Sequence, residues 1–181
     1  MPRVQGSNLS EVADDIRRVL ERQQQRYGTV LYNHTVLARR PGVFWGFRAL
    51  WDGLEKDALL PPRLVDLVNL KVASLIGCEL CVEVNSAVGR ADGVSEAELD
   101  ALPGYKATPL FSERERAALE YAEAVATQRD VAEDVFERVR VQFSEEEIIE
   151  LTATITFEIC VAKFNRALQI EASGVCRVAK L

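Results

Sequence analysis

The chain has 181 residues, 48% of them hydrophobic and 28% charged, with a net charge of −6 at neutral pH. That length suits one domain with a substantial core, and the acidic balance argues against a nucleic-acid partner, whose phosphates need a concentrated basic surface. No apolar run approaches the roughly 18–20 residues of a membrane span and no secretory leader pattern stands near the start, so a cytoplasmic protein without a membrane partner is expected.

In chain order the pattern is helical almost throughout. Residues 7–28 space Leu9, Val12, Ile16 and Leu20 three and four apart, and Gly28 is a stop signal. A second helix ends at Pro41, and the stretch after it is dense in aromatics: Phe44, Trp45, Phe47 and Trp51. They read either as core or interface packing or as the lining of an apolar ligand pocket. Pro62 fits the first turn of a helix whose stripe, Leu64, Leu67, Val68, Val72 and Leu75, runs to Gly77. Another helix starts around Cys78 and reaches about Arg90. Ser95 with Glu98, Ser112 with Glu115 and Ser144 with Glu147 are capping boxes that open three later helices. Between the last two, residues 130–143 are also helical, and the β-prone Thr152–Thr156 has strongly helical flanks. The expected fold is all-α, a single domain over residues 1–181 with about eight helices.

The four cysteines, Cys78, Cys81, Cys160 and Cys176, are too few for a disulfide scaffold. Cys160 reads as a small buried hydrophobe and Cys176 as a bland, partly exposed thiol. Cys78 and Cys81 are different. At i and i+3 near a helix start they share a face, can close a disulfide, and feel the positive end of the helix, which favours thiolate. Asn85, four after Cys81, lies on that face too. On the preceding helix, Asp66 is placed to face the cysteines while Lys71, five residues on, reaches solvent. No second cysteine or histidine pair completes a zinc site, and neither a metal nor a cofactor is expected.

The stretch from Arg63 to Arg90 resembles the carboxymuconolactone decarboxylase-like superfamily, in particular its alkyl hydroperoxidase D-like branch. The pattern there is a glutamate, a CxxC a dozen residues later, and a histidine four after the second cysteine. Asp66, Cys78, Cys81 and Asn85 stand at those positions, and Asn165 with Arg166 matches an asparagine-arginine segment near the end. The resemblance implies an all-α subunit assembling into trimers or hexamers. It also implies peroxidase or disulfide-reductase chemistry on a small hydroperoxide or disulfide, renewed by a thiol reductant. In that chemistry Cys81 attacks and Cys78 resolves the sulfenic acid. Helix electrostatics alone would favour Cys78 as the more acidic thiol.

Two positions depart from the pattern. Asn85 cannot titrate near neutral pH as histidine does, though it can donate a hydrogen bond to a Cys81 thiolate. Asp66 keeps the charge of glutamate on an arm shorter by roughly 1.5 Å, so that it orients a water or the thiol. His34 and Glu83 read as structural or surface residues, and either Glu158 or Lys163 is a candidate to line the site. The leading expectation is therefore a thiol-dependent antioxidant oxidoreductase. The alternative is a non-catalytic redox-sensing or apolar-ligand-binding protein on the same scaffold, with a lyase or isomerase using Asp66 a distant third.

Overall fold

Local signals start most of the helices. At Ser95, Ser112 and Ser144 the serine accepts the third helical N–H while the glutamate three residues on takes back the serine N–H, and Pro41 and Pro62 occupy first-turn positions. A computed structural model describes residues 1–175, and among these are nine α-helices, two short 3-10 helices and no strand. They are α1 (Asp14–Tyr27), α2 (Tyr32–Leu37), α3 (Pro41–Lys56), α4 (Pro62–Ile76), α5 (Glu79–Ala91), α6 (Glu96–Ala101), α7 (Glu113–Thr127), α8 (Glu133–Gln142) and α9 (Glu145–Ala167). The fold class is as expected from the sequence. None of these helices is long and apolar enough to cross a membrane.

One start differs from expectation. Residues 7–13 do not extend α1: a 3-10 turn, Leu9–Glu11, is followed by extended Val12. The Arg17 guanidinium accounts for the break, because it donates to the carbonyls of Leu9 and Val12 that a continuous helix would have used itself.

α4 is the central helix. Leu67, Val68, Val72 and Ala73 are wholly buried, and it packs against α5, α7 and α9. At its start Arg63 ties two other elements to it, reaching Glu98 at 2.5 Å and Glu115 at 2.9 Å. At its end Gly77 turns the chain in the left-handed region, φ +73°, which delivers Cys78 directly to the head of α5.

Three expectations about single residues are corrected. Lys71 does not reach solvent: it is buried, with Nζ 4.9 Å from the Tyr105 ring centroid, where the π face compensates part of the desolvated charge. Cys160 is exposed, because α9 turns Phe157, Glu158, Ala162 and Asn165 inward and leaves residue 160 on the outer face. Glu83 is half-buried and functions as an anchor, accepting the backbone N–H groups of Ser173 and Val175 at 2.7 Å each. Cys176 lies outside the described residues.

Candidate active site

Cys78 is the N-cap of α5, and its Sγ accepts the N–H of Cys81 at 3.2 Å. The two cysteines form a disulfide with their Cα atoms 5.3 Å apart. Both sit in an apolar cluster with Ala73, Leu80, Val84 and Ala162, and they are 1% and 5% exposed. Only Cys81 lines the adjoining cavity of about 410 Å³.

The amide placed on the sulfurs comes from a residue that sequence reasoning noted only as part of a resemblance. Asn165 on α9, 1% exposed, donates Nδ2 to Cys81 Sγ at 3.3 Å and to Cys78 Sγ at 3.5 Å. Asn85, expected to serve Cys81, instead donates to Glu158 Oε1 at 3.3 Å across to α9. Glu158 is 6% exposed. Loss of water pushes its carboxyl up to about 8, against the opposing pull of the Asn85 hydrogen bond, so it is largely protonated at neutral pH. Of the two α9 candidates, Glu158 therefore joins the site, and Lys163 is exposed and does not.

Asp66 lines a second cavity, of about 280 Å³, together with Asn69 and Asp92. It does not line the cavity that Cys81 lines. Burial, and then repulsion from Asp92, push its carboxyl up to about 7. Asn85 and Glu158 line both cavities and so stand between Asp66 and the thiol pair. His34 also reaches the first cavity. Its ring pairs with the Gln23 amide and lies edge-on to Phe44, and burial and Arg48 depress its pKa to about 4, leaving a neutral and weakly basic imidazole.

The aromatic set combines both roles read from the sequence. Phe47 and Trp51 on α3 meet Phe157 edge to face at 5.9 and 6.0 Å, and with Trp45 they line the cavity in front of Cys81. Six of the seven buried polar atoms without a hydrogen-bond partner among the described residues belong to side chains around the two cavities: Gln23, Asn33, Arg48, Asp66, Asn69 and Asn165. Such groups cost free energy in a sealed core; in the wall of a cavity they are available to an occupant. No group of three or more His, Cys, Asp or Glu among the described residues could hold a metal ion.

Comparison with known proteins agrees with this architecture. Residues 41–124 match the carboxymuconolactone decarboxylase family. The YnjA protein of Escherichia coli (strain K12) is 34% identical over 173 residues, covering 94% of each chain. Among solved structures, a peroxidase-related protein of Ralstonia eutropha JMP134 with an alkylhydroperoxidase AhpD core superposes with a TM-score of 0.86 at 23% identity, over 96% of this chain and 93% of that one. The debrominase Bmp8 superposes with a TM-score of 0.85 at 21% identity, over 95% of this chain and 92% of its own, and a cysteine-to-alanine variant of it has been solved with 2,3,4-tribromopyrrole. At these identities the two structures share the fold. With the CxxC pair at the head of α5 and the relative spanning nearly the whole chain, the protein belongs to the carboxymuconolactone decarboxylase family and has the AhpD-like fold.

Proposed function

We propose that the protein is a cytoplasmic thiol oxidoreductase that reduces small organic hydroperoxides through Cys81 and Cys78. The observation that carries this reading is the disulfide at the head of α5, with the Asn165 amide on both sulfurs and Cys81 alone facing an aromatic-lined cavity. The Cys81 thiolate attacks the terminal peroxide oxygen, the O–O bond breaks, and sulfur gains the hydroxyl as a sulfenic acid while an alcohol leaves. The Cys78 thiol then attacks Cys81 Sγ, closing the disulfide and releasing water. An external dithiol returns both cysteines to thiols by exchange. The cavity favours Cys81 as the attacking sulfur although Cys78 caps the helix, because a peroxide must reach the atom it oxidises.

The test is thiol loss in the fully reduced protein after one equivalent of cumene hydroperoxide. The wild type should lose two thiols per chain in a single fast phase, and Cys81→Ser should react no faster than a free thiol. Equal rates in the two proteins would remove the proposal.

A second reading, a redox sensor or binder of apolar ligands, is favoured by one observation: Asn85, where the resemblance implies histidine, spends its amide on Glu158. That reading predicts reversible disulfide formation without turnover, and tight binding of a flat aromatic ligand beside Trp45 and Trp51.

The proposal extends to assembly. α3 buries only Phe44 and leaves Val43, Trp45 and Leu50 exposed, a face that a second copy in a trimer or hexamer would cover. Sedimentation velocity should show no monomer at micromolar concentration, and Leu50→Glu should release one. A wild-type monomer would end this part of the reading.

A further inference from the structure

We propose that Glu158 is the acid of this site, giving its proton to the alkoxide that leaves when Cys81 attacks a hydroperoxide. The inference rests on the thiol reading above and assigns to α9 the proton-handling role for which α5 has no titratable group at Asn85.

The geometry comes from two helices that meet along one wall of the cavity. On α5, Cys81 and Asn85 are four residues apart and share a face. On α9, Asn165 and Glu158 are seven apart, two turns, and share a face as well. Asn165 meets the sulfurs and Glu158 meets Asn85, so the helices run antiparallel here and the four side chains form the corners of one wall. The levels of Cys81 and Glu158 differ by one turn, about 6 Å, counted along α5 and by two turns, about 10 Å, counted along α9. An attacked oxygen about 3 Å from sulfur, the O–O bond, and a hydrogen bond of about 2.8 Å to the second oxygen span a length within that range. Glu158 and Cys81 line the same cavity, so a hydroperoxide bound there lies between them.

The carboxyl is also in the right state. Burial keeps it largely protonated at neutral pH, so it has a proton to give and is a poor base for making thiolate. Other charged groups around the cavities are engaged elsewhere or differ in strength. Arg48 pairs with Asp52, and Arg26 on α1 lies 3.9 Å from Glu55 on α3. Arg22 on α1 lines the cavity as a fixed positive charge. His34 on α2 is neutral and weakly basic, and Tyr27, buried on α1, is raised above the ordinary tyrosine value. Asp66 on α4, with Asp92 after α5 and Glu150 on α9, lines the second cavity.

Cys81 ionises and releases a proton, its thiolate takes the terminal oxygen, and the alkoxide accepts the Glu158 proton and leaves as an alcohol. Sulfur is oxidised by two electrons and the peroxide reduced by two. The proton released by Cys81 restores the acid, and the second cavity, which Glu158 also lines and which reaches exposed Asp92, is a route for its return.

The experiment is single-turnover oxidation of the reduced protein by alkyl hydroperoxides between pH 6 and 10, in wild type, Glu158→Gln, Glu158→Asp and Cys81→Ser. The expected wild-type rate rises with thiolate and then falls above about pH 8. Glu158→Gln is expected to be at least tenfold slower at pH 7 and to lack the alkaline fall, and Glu158→Asp to recover part of the rate. A series of hydroperoxides with leaving alcohols of different acidity supplies a measure that a structural role would not move. The Gln variant should depend more steeply on leaving-group acidity than the wild type. Unchanged profile and slope in Glu158→Gln, with Cys81→Ser inactive, overturns the assignment while leaving the thiol reading intact; activity in Cys81→Ser overturns both. Should the Gln variant fail to fold, the wild-type profile decides alone, and a rate without an alkaline fall refutes the proposal.

Discussion

Between pH 8.5 and 6.5 the oxidised protein is expected to gain about 2 kcal/mol of stability, a rise in Tm of about 5 °C for a chain of this size. The cause is the pair of buried carboxyls. Glu158 titrates near 8 in the fold against 4.5 ordinarily, and Asp66 near 7 against 3.8. In each case the folded chain keeps a proton that the unfolded chain releases, so acidification favours folding. Their contribution is present in full below the ordinary carboxyl values and is lost as pH rises through 7 and 8. His34 has the opposite sign: held near 4 against 6.5, it stabilises above 6.5 and loses that contribution as pH falls, which flattens the gain below the window. Glu98, held low by Arg63 and then Ser95, and Glu115, held low against its burial by the Ser112 cap and then Arg63, change nothing above their ordinary values. Thermal melts across the window should show the rise in wild type and no rise in the Asp66→Asn, Glu158→Gln double variant, where His34 leaves a slight fall toward pH 6.5. A wild-type melt that is flat, or that falls on acidification, would show that neither group keeps its proton on folding.

Replacing Asn165 with leucine is expected to slow the thiolate chemistry of Cys81 by roughly 10- to 100-fold at pH 7. The amide is buried and is the hydrogen-bond donor aimed at both sulfurs. A hydrogen bond to a charged group is worth about 1.5–3 kcal/mol, which corresponds to raising the thiol pKa by about 1–2 units when it is lost. Leucine keeps the branching of the asparagine side chain but is bulkier and has no donor, so Asn85→Leu, with the same gain in bulk, serves as the packing control. Alkylation of the reduced protein by iodoacetamide across pH reports it directly. The Asn165→Leu curve should move to higher pH, whereas Asn85→Leu should move it much less, because the Asn85 amide is engaged with Glu158. Curves that coincide with wild type in both variants would mean that the helix end alone sets the thiol acidity.

The helices were legible because their signals are local. Capping boxes at Ser95, Ser112 and Ser144, proline at 62 and glycine at 77 act within a turn or two, and each does in the structure what its chemistry predicts. The CxxC pair was legible for the same reason. The partners of that pair were not, because they stand far along the chain: Asn165 is 84 residues from Cys81 and Glu158 is 73 from Asn85. The one available sign was that Glu158 and Asn165, polar residues in a largely apolar helix, lie two turns apart on one face. Lys71 was misplaced by a similar limit. Its burial depends on the Tyr105 ring, which only the tertiary fold brings beneath it. Asp66 was expected to face the cysteines, yet it lines the neighbouring cavity. The ideal Cβ position at Gly89 lies 3.6 Å from Asp66 Cβ, so α5 crosses α4 closely at a residue with no side chain to intervene.

The disulfide joins residues only three apart, and that short span limits how far it can restrain the unfolded chain. By loop-closure entropy such a small ring contributes about 2 kcal/mol, against nearly 5 kcal/mol for a loop of 100 residues. The large clusters around α4 do not depend on it, since Leu67, Val68 and Val72 pack against neighbours that the bond does not tether. Opening it therefore subtracts less from the fold than opening a long-range bond would. It is a latch set in one wall and not a rivet through the frame.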